Sequence, residues 1–273
     1  MPELPEVENV RRTLSNVVLG SVVTNVKLGR HDVVRGGKTP ADLLKGQRIV
    51  KLERLGKQLA ILGSTDGCIC VHLGMTGSLR FHPPHTRRKR DPHVHATWHL
   101  DNGRIEFRDP RRFGGLWTFP DRDSLINERW QVLGSDATTI KPRQLFANLQ
   151  KTRRLIKAAL LDQRVVAGLG NIYVDELLFS CRIHPKSTSN LLPIKDLQRL
   201  VRQMRQLLEK ATKAGGSTLR DYVDADGSSG GFQLVHRVYG RGGEPCALCE
   251  LPLSVQVVAG RTTVFCDGCQ YYY

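Results

Sequence analysis

Leu4, Val7, Val10, Leu14 and Val17 recur at spacings of three and four before Gly20, and Pro2 and Pro5 open the stretch. That spacing lines the five side chains along one face of a helix, and proline suits a first turn, where the N–H has no intrahelical acceptor. An amphipathic helix is therefore predicted at the start of the chain. From Val22 to Phe119 the period shortens. The segments VVTNVKL, RIVKLERL, QLAILG, CICVHL, HATWHL, RIEFRD and GLWTF are β-branched and alternating, and Gly, Asp-Asn and Asp-Gly turns separate them. An antiparallel sandwich or barrel follows from this pattern. HPPHTRRKRDP, between two of the strands, reads as a solvated basic loop.

After about Leu133 the period becomes helical in RQLFANLQ, RRLIKAALLD and NIYVDELLFS. A longer stretch follows in which Leu197, Leu200, Val201, Met204, Leu207, Leu208 and Ala211 recur at helical spacing. Residues 215–231, GGSTLRDYVDADGSSGG, have the composition of a mobile loop. The expected organisation is α+β and multidomain, with boundaries at residues 1–133, 134–231 and 232–273.

Charge narrows the partners. Lysine plus arginine minus aspartate plus glutamate is 41 − 26 = +15 over 273 residues, and a pI near 9.8 points to a polyanion, nucleic acid first. No apolar run reaches the roughly 18 residues that a membrane span needs, and MPELPEVENVRR does not read as a signal peptide. A cytoplasmic, nucleoid-associated protein without a membrane partner is expected.

Four of the seven cysteines form Cys246-x-x-Cys249 and, sixteen residues on, Cys266-x-x-Cys269. This spacing suits one tetrahedral zinc ion, structural because four protein ligands leave no open position. The intervening LPLSVQVVAGRTTVF reads as a β-hairpin turning at Ala259-Gly260-Arg261, with Arg261 carried outward. Cys68, Cys70 and Cys181 read as buried thiols.

Pro2 follows the initiator methionine, whose removal would leave a free secondary amine able to attack an electrophilic carbon. Taken alone, Pro2 and Pro5 need do no more than start the helix, with Glu3 and Glu6 favouring the positive end of its dipole. PELPEV, however, resembles the opening of the formamidopyrimidine-DNA glycosylases, bacterial enzymes of oxidised-purine repair. RLGKQL around Lys57, HLGMTGSLR around Met75, DPRRFG around Arg111, VVAGLGNIYVDE around Asn171, VYGRGGEPC, VVAGR and the closing C-x-x-C-Q resemble further blocks of that family, in the same order from Pro2 to Gln270.

The resemblance implies a β-sandwich with a leading helix, a central helix-two-turns-helix domain, and a zinc hairpin. It implies a bifunctional glycosylase and lyase acting on damaged duplex DNA as a monomer, with no catalytic cofactor and no obligate protein partner. Pro2 would be the nucleophile, Glu3 the acid–base group and Glu6 a structural support. Lys57 and Arg261 would join them at the catalytic centre by gripping phosphates. His93, Asn171, Lys157 and Tyr239 would contact the DNA backbone. Met75, Arg111 and Phe113 would fill the stack left by an extruded base, with Arg111 facing the orphaned cytosine. Thr218, Leu219, Arg220, Asp221 and Tyr222 would close over the lesion.

Gly74 stands where many members carry arginine, and Thr76 where some carry glutamate, which bears on lesion preference. Tyr271-Tyr272-Tyr273 has no counterpart. The related endonuclease VIII type, which prefers oxidised pyrimidines, usually opens PEGPEI, so Leu4 favours the purine enzyme. A zinc-dependent DNA-binding relative that has lost the chemistry is the other alternative.

Overall fold

The structure, a computed structural model, describes residues 2–36, 39–86, 91–218 and 222–273. Met1, the RRKR stretch at 87–90, and Leu219, Arg220 and Asp221 of the expected lesion loop lie outside the described residues. The chain divides into two compact units, residues 1–131 with 212–231, and residues 132–211 with 232–273.

In the first unit, helix α1 (Leu4–Val18) buries Leu4, Val7, Val10, Leu14 and Val18. Val17 is only partly buried at the core margin, because Val18, four residues after Leu14, continues the apolar stripe. Eight strands follow: β1 (Val23–Leu28), β2 (Ile49–Leu55), β3 (Gln58–Gly63), β4 (Cys68–His72), β5 (Ser78–His82), β6 (Val94–Leu100), β7 (Gly103–Arg108) and β8 (Gly115–Phe119). They form two four-stranded antiparallel sheets, ordered β1-β6-β7-β5 and β2-β3-β4-β8. Leu59, Ile61, Ile69, Val71 and Leu116 of one sheet meet Trp98, Ile105 and Phe107 of the other in the core, with the α1 stripe. Of the two folds that alternation allows, the chain adopts the sandwich.

Two elements are additions to the sequence reading. β5 carries Arg80 and His82 but pairs fully with β7. A short helix, α2 (Arg122–Leu125), is capped by Asp121, whose carboxylate accepts from Ser124 N at 2.6 Å. It continues into a π-turn (Ile126–Trp130) that buries Trp130. Residues 212–231 belong to this first unit rather than to the helical domain with which their sequence position groups them. The reason is local: Ala225 is buried, its N–H donates to Thr13 Oγ1 at 3.2 Å, and its carbonyl accepts from Phe81 N at 3.0 Å.

The second unit holds α3 (Pro142–Gln150), α4 (Ile156–Leu161), α5 (Asn171–Ser180) and most of α6 (Ile194–Lys213). On α6, Leu197, Leu200, Val201, Met204, Leu208 and Ala211 are buried. Strands β9 (Ser254–Val258) and β10 (Arg261–Phe265) form the predicted hairpin. Its turn is Ala259-Gly260, both at positive φ, and Arg261 is the first paired residue of β10, opposite Val258. The terminal tyrosines dock against residues 182–188. Tyr271 N donates to Arg182 O at 3.0 Å, His184 N to Tyr271 O at 2.8 Å, and the Tyr272 ring stacks on His184 with 3.7 Å between centroids.

Helix α1 is also tied to the β2–β3 turn by charge. Glu8 sits 3.1 Å from Arg54, which donates to Gly56 O at 2.9 Å. Burial would raise the Glu8 carboxyl, but Arg11 and Arg54 outweigh it and hold it near 2, against an ordinary value of 4.5. A depressed carboxylate contributes stability above its unfolded pKa and loses it as pH falls through the folded one. Glu8→Gln should therefore lower stability at pH 7 by about 1 kcal/mol after solvent screening, and the difference from the parent should shrink between pH 5 and about 2 in urea denaturation followed by fluorescence.

Candidate active site and nucleic-acid interface

Pro2 is buried immediately before Glu3, the N-cap of α1, which is 2% exposed. The Glu6 carboxylate fixes this end. One oxygen accepts from Glu3 N at 2.8 Å and the other from Ser217 N at 2.7 Å. Gly216 lies at φ +80°, and a Cβ there would stand 2.7 Å from Glu6 Oε1, so both backbone and space call for glycine. Tyr222 completes the clamp by donating its hydroxyl to the Glu6 carbonyl at 3.2 Å. The Tyr222 side chain is thus part of the core, 8% exposed, and burial followed by Glu6 raises its phenol, which leaves the backbone for any lesion contact. Thr218 is half-buried, accepting from Gly230 N at 2.8 Å and donating to Tyr222 O at 3.1 Å.

Lys57 occupies the two-residue turn Gly56-Lys57 between β2 and β3 and is 8% exposed. Beside it on β4, His72 accepts at Nδ1 from Gly74 N at 3.2 Å. Burial first, then Arg129 and Lys57, lower its imidazole to about 4, so it is neutral at pH 7 with its proton on Nε2. The next turn presents Met75, 37% exposed, and the turn before β8 presents Phe113, 53% exposed. A thioether and an aromatic side chain are thus exposed on these turns, and the Arg111 guanidinium stands 4.8 Å from the Phe113 ring centroid.

Asp109 explains how the two turns stay together. It is 1% exposed, and its carboxylate accepts from Thr76 Oγ1 at 2.6 Å and from Gly114 N at 2.7 Å. Thr76 Oγ1 in turn accepts from Arg111 N at 3.2 Å. A Cβ on Gly74 would lie 2.4 Å from Gly114 N, so arginine could not replace glycine there without moving the turn. His93, half-buried, anchors the other side through its carbonyl, which accepts from Asp109 N at 2.9 Å.

In the second unit the structure gathers Asn171, Lys157 and the start of β10. The Thr262 carbonyl, next to exposed Arg261, accepts from Asn171 Nδ2 at 2.8 Å and from Lys157 Nζ at 3.3 Å. Lys157 does not fit the role of a DNA contact. It is fully buried, its ammonium 2.6 Å from Asp175 and 2.7 Å from Thr263 Oγ1, so no N–H faces solvent. Burial pushes the Asp175 carboxyl up to about 6 even against that ammonium. The neighbouring Glu176 is also buried, and accepts from the backbone N–H groups of Arg237, Val238 and Tyr239 at 2.8–3.0 Å. Tyr239 is thereby fixed through its backbone, half-buried beside His236.

The Sγ atoms of Cys246, Cys249, Cys266 and Cys269 lie within 4.8 Å of one another, with Cys249 and Cys266 3.3 Å apart and Cys246 and Cys269 3.9 Å apart. Tetrahedral Zn–S bonds of about 2.3 Å separate sulfurs by about 3.8 Å, so this four-thiolate set fits a closed metal site. Cys68, Cys70 and Cys181 are buried as expected, and burial pushes their thiols up to about 12, 11 and 12.

The model of the formamidopyrimidine-DNA glycosylase N-terminal domain matches residues 1–116, and that of the family's H2TH domain matches residues 133–223. The chain belongs to the formamidopyrimidine-DNA glycosylase family. The family's enzyme from Bacillus licheniformis is 42% identical over 99% of each chain, and that from Bacillus subtilis is 39% identical over 99% of each. The crystal structure of the MutM (Fpg) protein of Thermus thermophilus matches with a TM-score of 0.88 at 39% identity, covering each chain fully. A variant of Lactococcus lactis Fpg, solved with DNA containing Fapy-dG, matches with a TM-score of 0.90 at 34% identity, over 98% of this chain and 99% of that one. The fold is accordingly the Fpg fold: a β-sandwich with its leading helix, a helix-two-turns-helix domain, and a four-cysteine cluster carrying a β-hairpin.

The sequence reading passed over the acids that hold these groups, Asp109, Asp175 and Glu176. Their one signal was a carboxylate inside a segment otherwise apolar or turn-forming. Breaking a buried ion pair strands the remaining charge, typically at about 3–5 kcal/mol, whereas replacing both partners with apolar groups is often near neutral. Lys157→Met should lower stability by that amount in urea denaturation, and the double variant Lys157→Met/Asp175→Leu should recover most of it.

Proposed function

We propose that this chain excises oxidised purines from duplex DNA and then cleaves the strand, with the Pro2 amine as nucleophile. The buried N-terminus carries this reading: Pro2 precedes the buried Glu3 at the positive end of α1, and the Glu6 carboxylate holds that end in place. A free α-amine titrates near 8, so a useful fraction is unprotonated at neutral pH. Its lone pair attacks C1′, and the glycosidic electron pair leaves with the base, which takes up a proton. The Pro2 nitrogen gives up its proton to solvent, and its lone pair then opens the C1′–O4′ bond to an iminium ion as O4′ accepts a proton from Glu3. Loss of a proton from C2′ expels the 3′ phosphate, a second elimination expels the 5′ phosphate, and water frees Pro2. No cofactor enters these steps.

Reaching C1′ requires an extruded nucleotide. Exposed Met75 and Phe113, on turns locked by Asp109, suit insertion into the stack. Arg111 would donate to the orphaned cytosine. Lys57, His93, Asn171, Tyr239 and Arg261 would hold phosphates, Asn171 through the second proton of its amide nitrogen. The four cysteines would hold zinc, which sets the hairpin and so Arg261. Among the described residues no helix is long and apolar enough to cross a membrane, and action on the chromosome in a bacterial cytoplasm fits that.

Lesion class has a second reading, because a Lactococcus lactis Fpg structure contains DNA with an oxidised pyrimidine, at 34% identity to this chain. Borohydride trapping on duplexes carrying 8-oxoguanine or thymine glycol opposite their usual partners separates the two. With Met1 removed, an adduct mapped to residue 2 on the 8-oxoguanine duplex is expected, and Pro2→Gly should reduce it at least a hundredfold. Stronger trapping on thymine glycol would reassign the lesion class, and no adduct on either would end the catalytic reading.

Removing the metal should weaken binding to an abasic-analogue duplex by roughly tenfold or more, through loss of the hairpin, with recovery on adding zinc. Fluorescence anisotropy before and after chelation checks it, and unchanged affinity would separate the metal site from DNA binding.

A further inference from the structure

The first unit neutralises most of its arginines. Arg30, Arg54, Arg104, Arg108 and Arg122 each pair with a carboxylate at 2.6–3.1 Å. Among the described residues Arg35 and Arg129, like Arg48, Arg111 and Arg112, have no such partner, although Asp32 lies in the concavity that Arg35 lines, where Arg30 takes up its carboxylate. Arg35 and Arg129 stand instead over Trp117 of β8, the Arg129 guanidinium 3.5 Å and that of Arg35 5.7 Å from a ring centroid. The arrangement is built rather than incidental. Gln58 Oε1 accepts from Arg129 Nε at 2.8 Å and also from Trp130 Nε1 at 3.2 Å. A Cβ on Gly115 would meet Arg35 Nε at 3.1 Å and the Trp117 ring at 3.2 Å.

Strand register places this cluster. Gln58 pairs with His72, and His72 with Gly115, so the Lys57 turn and the Phe113–Gly114 turn lie at one end of the sheet. Trp117 is two residues along β8 from Gly115, hence on the same face as Gln58 and His72. Arg129 and Lys57 both act on the His72 imidazole, which places two cations near one point. A guanidinium lying on an indole is desolvated on one face and keeps its N–H edge outward, and with Arg129 Nε engaged its two terminal nitrogens remain. That edge matches two oxygens of one phosphodiester.

We propose that Arg35 and Arg129, held on Trp117, form a phosphodiester-binding site that extends the backbone grip of Lys57. The inference rests on the DNA-binding reading above, and the test separates the two. Binding of the full-length protein to a duplex with a tetrahydrofuran abasic analogue is measured from about 50 to 200 mM salt, giving the slope of log K against log salt.

The parent slope should be steep. Arg35→Gln and Arg129→Gln should each reduce it by about one and weaken binding roughly fivefold at the low-salt end. Arg35→Lys and Arg129→Lys, which keep the charge, should retain most of the slope, and exposed Arg35 serves alone if the Arg129 variants fail to fold. A steep parent slope unchanged in the glutamine variants overturns this site and leaves DNA binding standing. A flat parent slope overturns both.

Discussion

The position of the N-terminus depends on one buried carboxylate. Glu6 is 1% exposed, and a carboxylate out of water is tolerable only if N–H or O–H groups replace its hydration. It takes donors from both sides, Glu3 N from its own helix and Ser217 N from a segment 211 residues away in sequence. The first turn of α1 therefore cannot fray, and Gly216 and Ser217 cannot leave the sandwich, without stranding that charge. Gly216 is needed for the close approach, and Tyr222 closes it from the opposite side. Residues ahead of a first helical turn are ordinarily mobile; here the Glu6 carboxylate holds Glu3 N directly beside Pro2.

The same device recurs under the other functional elements. Asp109 sits beneath the turns of Met75 and Phe113, Asp175 beneath β10 where it receives Val264 N at 3.2 Å, and Glu176 beneath residues 237–239. In each case a buried acid collects backbone donors from a turn, strand or loop that borders exposed groups. In the insertion role proposed for Met75 and Phe113, holding these exposed side chains before DNA arrives would favour affinity, since ordering them on binding would reduce it. Hydrogen bonds to buried charge hold the loops without covering them.

The periodic features of the fold were legible in the sequence: the α1 stripe, seven of the eight sandwich strands, the four main helices and the hairpin all follow from spacing and turn residues. β5 was missed because its alternation rests on only two apolar residues, Leu79 and Phe81, and α2 because its four residues are too few for a period. At the site, the blocks around Pro2, Lys57, Met75 and Arg111 were visible as motifs, but depth was not. Lys157 looked like any basic residue on a helix, and only its Asp175 and Thr263 partners reveal it as an internal strut. Tyr222, in a run of Gly, Ser and Asp, looked mobile because composition does not show that one aromatic ring anchors the run. A partner distant in sequence sets each of these roles, and no local window contains it.

The cysteine hairpin is too thinly packed to be held by apolar contacts alone. Its own apolar cluster is small, with Val238, Leu253 and Val264 against Phe179 and three of the cysteines, while Val255 and Val257 are 54% and 74% exposed. So little buried area cannot hold two strands in register. Four thiolates fix the base of the hairpin. Lys157 and Asp175 fix β10 from the helices, near the end where Arg261 lies, at Thr262, Thr263 and Val264. With a metal held by the four thiolates, one end of the hairpin would be fixed by inorganic contacts and the other by the buried ion pair, so the position of Arg261 would depend on these more than on hydrophobic packing.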